Sequence, residues 1–267
     1  MTVTSGGARA VVPSTGPSIS GSASPWRVVP ALVVRSIVAL TRLPSAFIPS
    51  VIFPIFQIIA FGGAFGAITM LPGFPTHQVL NWFAPLALLQ GAGFMGASVG
   101  LATTRDIETG FYDRLLLAPS PRWALLAGPV LGAVVRSLPS TYIVLVVAAL
   151  GGARLVGNAL GVLTLLLASI GVTALFGFWT LGLAYRFKSQ RAAPLMQIGI
   201  FVSIFLATAQ VPLAAMTGWL HAVARVNPMS NVLRLARVGF LGQVTWHDCW
   251  GGLLALAVGT LLAAAFA

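Results

Sequence analysis

Acidic side chains are nearly missing from this 267-residue sequence, in which four Asp and Glu together stand against 15 Lys and Arg. So small a supply leaves little from which to build paired-carboxylate catalysis or an oxygen-ligand metal site. Proton-driven carriers place Asp, Glu or His inside their spans. Here Asp106, Glu108 and Asp113 are clustered, Asp248 is the fourth acid, and His77, His221 and His247 all fall in expected loops. A proton relay therefore has almost no material. His247 and Asp248 are neighbours beside Cys249, but adjacency in sequence does not make a catalytic triad. Cys249 is the single cysteine, so an internal disulfide is excluded and the residue is expected to act as a small apolar side chain near a helix start. Lysine is as scarce. Lys188 is the only one, and it follows Phe187 where a G-x-x-x-x-G-K phosphate loop needs glycine. The chain does not bind ATP in that way, and any ATPase is a separate polypeptide.

What is abundant is apolar surface. Hydrophobic residues make up 58% of the chain and charged residues 7%, with a mean hydropathy of +0.96, whereas soluble domains carry about a quarter charged residues. This composition belongs to an all-α polytopic membrane protein. A span takes about 20 apolar residues, so the length accommodates about six spans in one membrane domain. The formal charge of +11 would point to nucleic acid in a soluble protein. In a membrane chain it reflects topology and contact with anionic lipid, and no nucleic-acid partner is expected.

Residues 1–25 are rich in Gly, Ser, Thr and Pro and carry only Arg9, which predicts a disordered cytosolic tail that stays attached. Over 26–43, Arg27, Arg35 and Arg42 fall on one helical face amid Val, Leu and Ile, the pattern of a helix lying in the membrane interface. Spans are expected at 47–70, 79–104, 123–150, 158–184, 192–211 and 249–267. In the second, Gly96 and Gly100 stand in G-x-x-x-G register, which favours close helix packing or a subunit contact. Arg136 inside the third span calls for a cytosol-side, protein-facing position. The segment 212–248, with Trp219, Trp246 and an Asn227-Pro228 break, is expected to form an external re-entrant hairpin of two short helices. Arg225, Arg234 and Arg237 should anchor it at the interface.

Charge sets the orientation. Arg9, Arg27, Arg35, Arg42, Arg105, Arg114, Arg122, Arg186, Lys188 and Arg191 lie on one side, and Arg154, Arg225, Arg234 and Arg237 on the other. The larger group belongs inside, which predicts cytosolic termini in the cell membrane.

The stretch 105–121, RDIETGFYDRLLLAPSP, sits on that inner side. Ile107, Phe111 and Leu115 recur every fourth residue and predict an apolar stripe on one helix. Asp106, Glu108 and Asp113 then face water or a partner, interleaved with Arg105 and Arg114, while Gly110 permits a bend and Pro119 and Pro121 end the helix.

Arg105-Asp106-Ile107-Glu108-Thr109-Gly110, then Asp113-Arg114-Leu115-Leu116, Pro119 and Arg122-Trp123-Ala124-Leu125, resemble the coupling-helix region of type-2 ABC exporter permeases, in particular the daunorubicin-resistance type. Val211-Pro212, Gly218-Trp219-Leu220, Asn227-Pro228-Met229-Ser230 and Arg237 are similar to the same family's external segment. Phe111 departs from the small or polar residue common after the glycine, Thr217 replaces a usual proline, and the basic C-terminal tail is missing. The resemblance implies a transport subunit with no chemistry of its own that exports a hydrophobic or amphipathic compound such as a drug or lipid. It also implies a second permease copy or related permease, and separate ATPase subunits that supply ATP and Mg. Arg105, Asp106, Glu108, Gly110, Asp113 and Arg114 would then receive the ATPase's movement. A polysaccharide or glycolipid exporter is the alternative within the class; outside it stands a membrane enzyme or a carrier.

Overall fold

The computed structural model describes residues 30–31, 33–35, 38, 48–70, 74–117, 121–242 and 244–267. The expected tail and most of the expected interfacial helix lie outside these residues, although positions 30, 31, 33–35 and 38 are helical. The order is α1 (Ile48–Ala64), α2 (Val79–Glu108), α3 (Phe111–Leu116), α4 (Arg122–Leu150), α5 (Asn158–Phe187), α6 (Ala193–Phe205), α7 (Gly218–Val226), α8 (Pro228–Leu241) and α9 (Trp246–Phe266). Short 3-10 turns at Gly66–Met70, Gln190–Ala192 and Leu213–Ala215 join them, and no strand occurs among the described residues.

A helix that is apolar on every face has to be surrounded, and α2 is. It packs against α1, α4, α5, α6 and α8, and Phe83, Leu86, Leu89 and Met95 are fully buried. Its glycines admit α5. A Cβ on Gly96 would lie 2.8 Å from the Thr173 carbonyl oxygen, and one on Gly100 would lie 2.6 Å from that of Thr180. The backbones touch where these glycines leave room, and two α5 hydroxyls exploit it: Thr173 donates to the Ala92 carbonyl and Thr180 to the Gly96 carbonyl, each at 3.2 Å. Gly96 and Gly100 thus act in packing within the chain. Gly100→Val is expected to lower stability by about 1–3 kcal/mol through overpacking, read as a fall in the thermal midpoint of the detergent-solubilised protein; an unchanged midpoint would show that α5 can move away freely.

Arg136, 8% exposed, faces α2 and donates to the Ser98 hydroxyl at 3.3 Å. It is protein-facing, and lies about 21 Å along α4 from its start at 1.5 Å per residue, well into the helix.

Among the described residues, four helices are long and apolar enough to cross a bilayer: α2, α4, α5 and α9. The 17 residues of α1 and 13 of α6 extend about 26 and 20 Å, short of a hydrocarbon core of about 30 Å. In the expected first span the α-helix ends at Ala64, just after Gly62 and Gly63, and the span finishes as a 3-10 turn that begins at Gly66. The helix of the expected fifth span stops at Phe205, and residues 206–211 are turn and bend with no helix, ahead of the 3-10 turn at Leu213–Ala215. The cause is capture of its carbonyls by side chains. Arg237 donates from Nη1 to the Thr208 oxygen and from Nη2 to that of Ala209 at 2.7 Å, and the Trp82 indole N–H reaches the Gln210 oxygen at 2.9 Å. Irregular backbone at membrane depth is tolerated where protein satisfies it in this way.

Candidate functional site

The acidic stretch forms two helices instead of the single one its periodicity predicts. α2 continues through Arg105, Asp106 and Ile107 to Glu108, where the Thr109 N–H returns to the Arg105 carbonyl and the Gly110 N–H to that of Ile107, both at 3.0 Å. Gly110 has φ 70°, the left-handed conformation in which glycine ends helices at little cost. α3 then restarts on a new axis with Phe111. Because the helical phase does not carry through this cap, Ile107 and Phe111 do not share a stripe; Phe111 is 39% exposed. α3 instead packs through Tyr112, whose ring lies 5.5 Å from that of Tyr185 on α5.

Two acids near the cap are tied to other parts of the chain. Asp106 accepts from Arg35 at 2.7 Å, and the same guanidinium carbon stands 4.3 Å above the Phe111 ring. One arginine from the N-terminal helical segment therefore touches both sides of the Gly110 bend. Glu108 is held twice by one residue: Gln190 donates its backbone N–H to Oε1 and its side-chain amide to Oε2, each at 2.8 Å. The 30 residues of α2 reach about 45 Å, longer than a hydrocarbon core of about 30 Å, and Glu108 is exposed at its last position. There the Gln190 backbone N–H, and after it the side-chain amide, hold the Glu108 carboxyl below its usual pKa. Lowering the folded-state pKa means the contact is fully present above the ordinary carboxylate range and is lost only as pH falls below it. At neutral pH the brace between α2 and the α5–α6 connection is intact.

Arg105, Asp113 and Arg114 are exposed and turned outward. Leu116 and Leu117 beside them are 52% and 86% exposed, and Trp123 at the start of α4 is 56% exposed. An exposed apolar cluster beside mixed charges is the composition of a protein contact surface. Arg35 and Gln190 were not legible as partners of this stretch. Arg35 reads as one member of an arginine face, and Gln190 is an uncharged residue in a basic run.

The segment before α9 lies at the other end of α2. Trp82 and Asp106 are separated by 24 residues of that helix, about 36 Å. Asn227 caps α8, accepting from the Met229 N–H at 2.9 Å while donating to the Ser203 carbonyl at 2.8 Å, and Pro228 takes the first helical position. Trp219 is 70% exposed. Arg234 pairs with Asp248 at 2.6 Å and is half exposed. Arg237 corrects the expectation of an interfacial anchor: it is 2% exposed, 3.7 Å from the Trp82 ring centroid, and bonded to three backbone carbonyls. Its bonds to the Trp82, Thr208 and Ala209 carbonyls hold it in the interior.

The family model for the ABC-2 type transporter matches residues 27–241. The chain belongs to the ABC-2 type transporter family. It is 28% identical over 239 residues to the daunorubicin resistance ABC transporter permease protein DrrB1 of Streptomyces coeruleorubidus, covering 87% of this chain and 81% of that protein. It is similar also to proteins named as the transport permease ycf38, with 26% identity in Pyropia yezoensis across 89% of this chain and 86% of that one. For the Porphyra purpurea protein of the same name the identity is 29% across 77% and 71%. In this ABC-2 chain the family match takes in the Gly110 bend with its Asp106 and Glu108 contacts, and it ends at the last residue of α8.

Proposed function

We propose that the chain is the membrane permease subunit of an ATP-driven exporter, moving a hydrophobic or amphipathic compound such as a drug or a lipid out of the cell. The observation that carries this reading is the family match across the charged end of the bundle, together with the daunorubicin resistance permease among the relatives. Separate ATPase subunits, with their ATP and Mg, dock on the surface made by Arg105, Asp113, Arg114 and the exposed Leu117. Their movement reaches the spans through α3, the Gly110 bend and the Glu108–Gln190 brace. A second copy or a related permease completes the path. A hydrophobic cargo is supported by three half-buried rings contributed by α1, α2 and α6. Phe53, Phe94 and Phe201 meet edge to face with centroids 5.4 to 5.6 Å apart, an apolar aromatic surface with no charge on it.

The test is efflux. Bacterial cells producing the chain together with its cognate ATPase should accumulate less daunorubicin than cells producing either alone; equal accumulation of several amphipathic drugs in all three would remove the reading.

In the membrane arrangement we propose, six segments cross, both termini and the acidic stretch are cytosolic, and 212–248 faces outward at the cell membrane. Cysteines introduced at Ser189 and at Val226, which is 82% exposed, in a Cys249→Ala background should label with an impermeant reagent from opposite sides. Labelling of both from outside would reject this topology.

A further inference from the structure

We propose that the cleft at the Arg237 end of the bundle holds the headgroup of an anionic phospholipid, with an acyl chain laid along the outer face of α9. The cleft has a volume of about 430 Å³, and Trp82, Ser230, Asn231, Arg234, Arg237 and Asp248 are among its lining residues. Its charge does not cancel. Arg234 and Asp248 neutralise one another at 2.6 Å, whereas Arg237 meets backbone carbonyls and the Trp82 ring, with no carboxylate within ion-pair distance among the described residues. A buried cation satisfied only by dipoles leaves the cleft with one positive charge in excess, and an anion entering beside Arg234 and Asn231 restores the balance.

A second hollow, of about 380 Å³, begins at the same place and shares Asn231, Arg234 and Asp248 with the first. It continues along Trp250, Leu254 and Val258, one helical turn apart and 49%, 54% and 46% exposed. The order is thus a positive polar cleft, an ion pair at the junction and an apolar stripe about 12 Å long. Trp219 and Trp246, 70% and 74% exposed, stand at the same end, as indole rings do at headgroup depth. A soluble anion would use only the cleft, and an uncharged lipid only the stripe. A phospholipid with an anionic head uses both in the sequence the surface presents them. This inference needs the chain to be in a membrane but does not depend on what it exports.

The experiment is native mass spectrometry of the full chain released from a neutral detergent, titrated with phosphatidylglycerol or with phosphatidylcholine of the same acyl chains. Half-occupancy by phosphatidylglycerol is expected at about fivefold lower concentration, the effect of one charge near an anionic surface. Arg234→Gln should bring the two lipids level. Asp248→Asn, which removes the competing carboxylate, should strengthen phosphatidylglycerol retention by about a further fivefold, a gain that a misfolded chain cannot produce. Leu254→Ser should weaken both lipids alike. Equal retention of the two lipids by the unsubstituted chain, no change in preference with either charge substitution, or displacement of phosphatidylglycerol by millimolar inorganic phosphate would overturn the assignment.

Discussion

Glu108→Ala is expected to abolish substrate-stimulated ATP hydrolysis by the partner ATPase while leaving membrane insertion and the amount of folded permease unchanged. Glu108 lies at the end of α2, exposed, and its two hydrogen bonds run to a single residue on the α5–α6 connection. Contacts so close to water contribute little to global stability. What they fix is the spacing between α2 and the turn before α6, the part that must move as a unit if a push at α3 is to reach the spans. Gln190→Ala separates two roles for the carboxylate. If Glu108 acts through the brace, Gln190→Ala removes the side-chain half of it and reproduces a large part of the loss; if Glu108 touches the ATPase directly, Gln190→Ala is nearly silent. The double substitution then reads the coupling between them. Normal stimulation in Glu108→Ala would remove this residue from the coupling path altogether.

Arg237→Met should be the most damaging single change to stability. It strips the donors from the Thr208 and Ala209 carbonyls in a segment that is not helical in the folded chain, and each buried carbonyl left without a partner costs about 1–3 kcal/mol. The expected loss is therefore about 2–6 kcal/mol, enough to send most of the chain to aggregation on extraction. Arg237→Lys should fall between, since one ammonium cannot reproduce a planar fork spanning two neighbouring carbonyls. Arg234→Gln, which breaks only a half-exposed ion pair, should cost less than about 1 kcal/mol. Thermal unfolding followed by size-exclusion chromatography ranks the three variants, and a midpoint for Arg237→Met equal to that of Arg234→Gln would show that the 206–212 segment holds itself.

The all-helical class and the family were legible because they rest on features that act locally or in bulk: apolar runs, the scarcity of acids, and motif order along the chain. The end of α2 was harder. Sequence periodicity carries Ile107, Phe111 and Leu115 through a single helix, and it is the left-handed backbone at Gly110 that resets the phase. Gly110 announced a bend but could not say on which face α3 would resume. The fate of 206–212 was hidden for another reason. Its residues are compatible with a helix, and what unwinds them is a guanidinium 28 residues away that binds the Ala209 carbonyl. Such side-chain capture of backbone has no period to detect. Arg237 was visible as a charge that needed a reason, and the interface offered one; the interior supplied another.

The short α6 has a consequence for the bilayer itself. At about 20 Å it is roughly two-thirds of the hydrocarbon thickness, yet it stands beside α2, which extends about 45 Å. Lipid next to α6 must shorten its chains or leave part of that flank wet, a mismatch costing fractions of a kcal/mol per ångström, whereas lipid elsewhere around the bundle meets full-length helices. A crossing by α6 then relies on the non-helical residues 206–212 to make up the missing length, and the fit of that flank is expected to vary with acyl-chain length, thick bilayers straining it most.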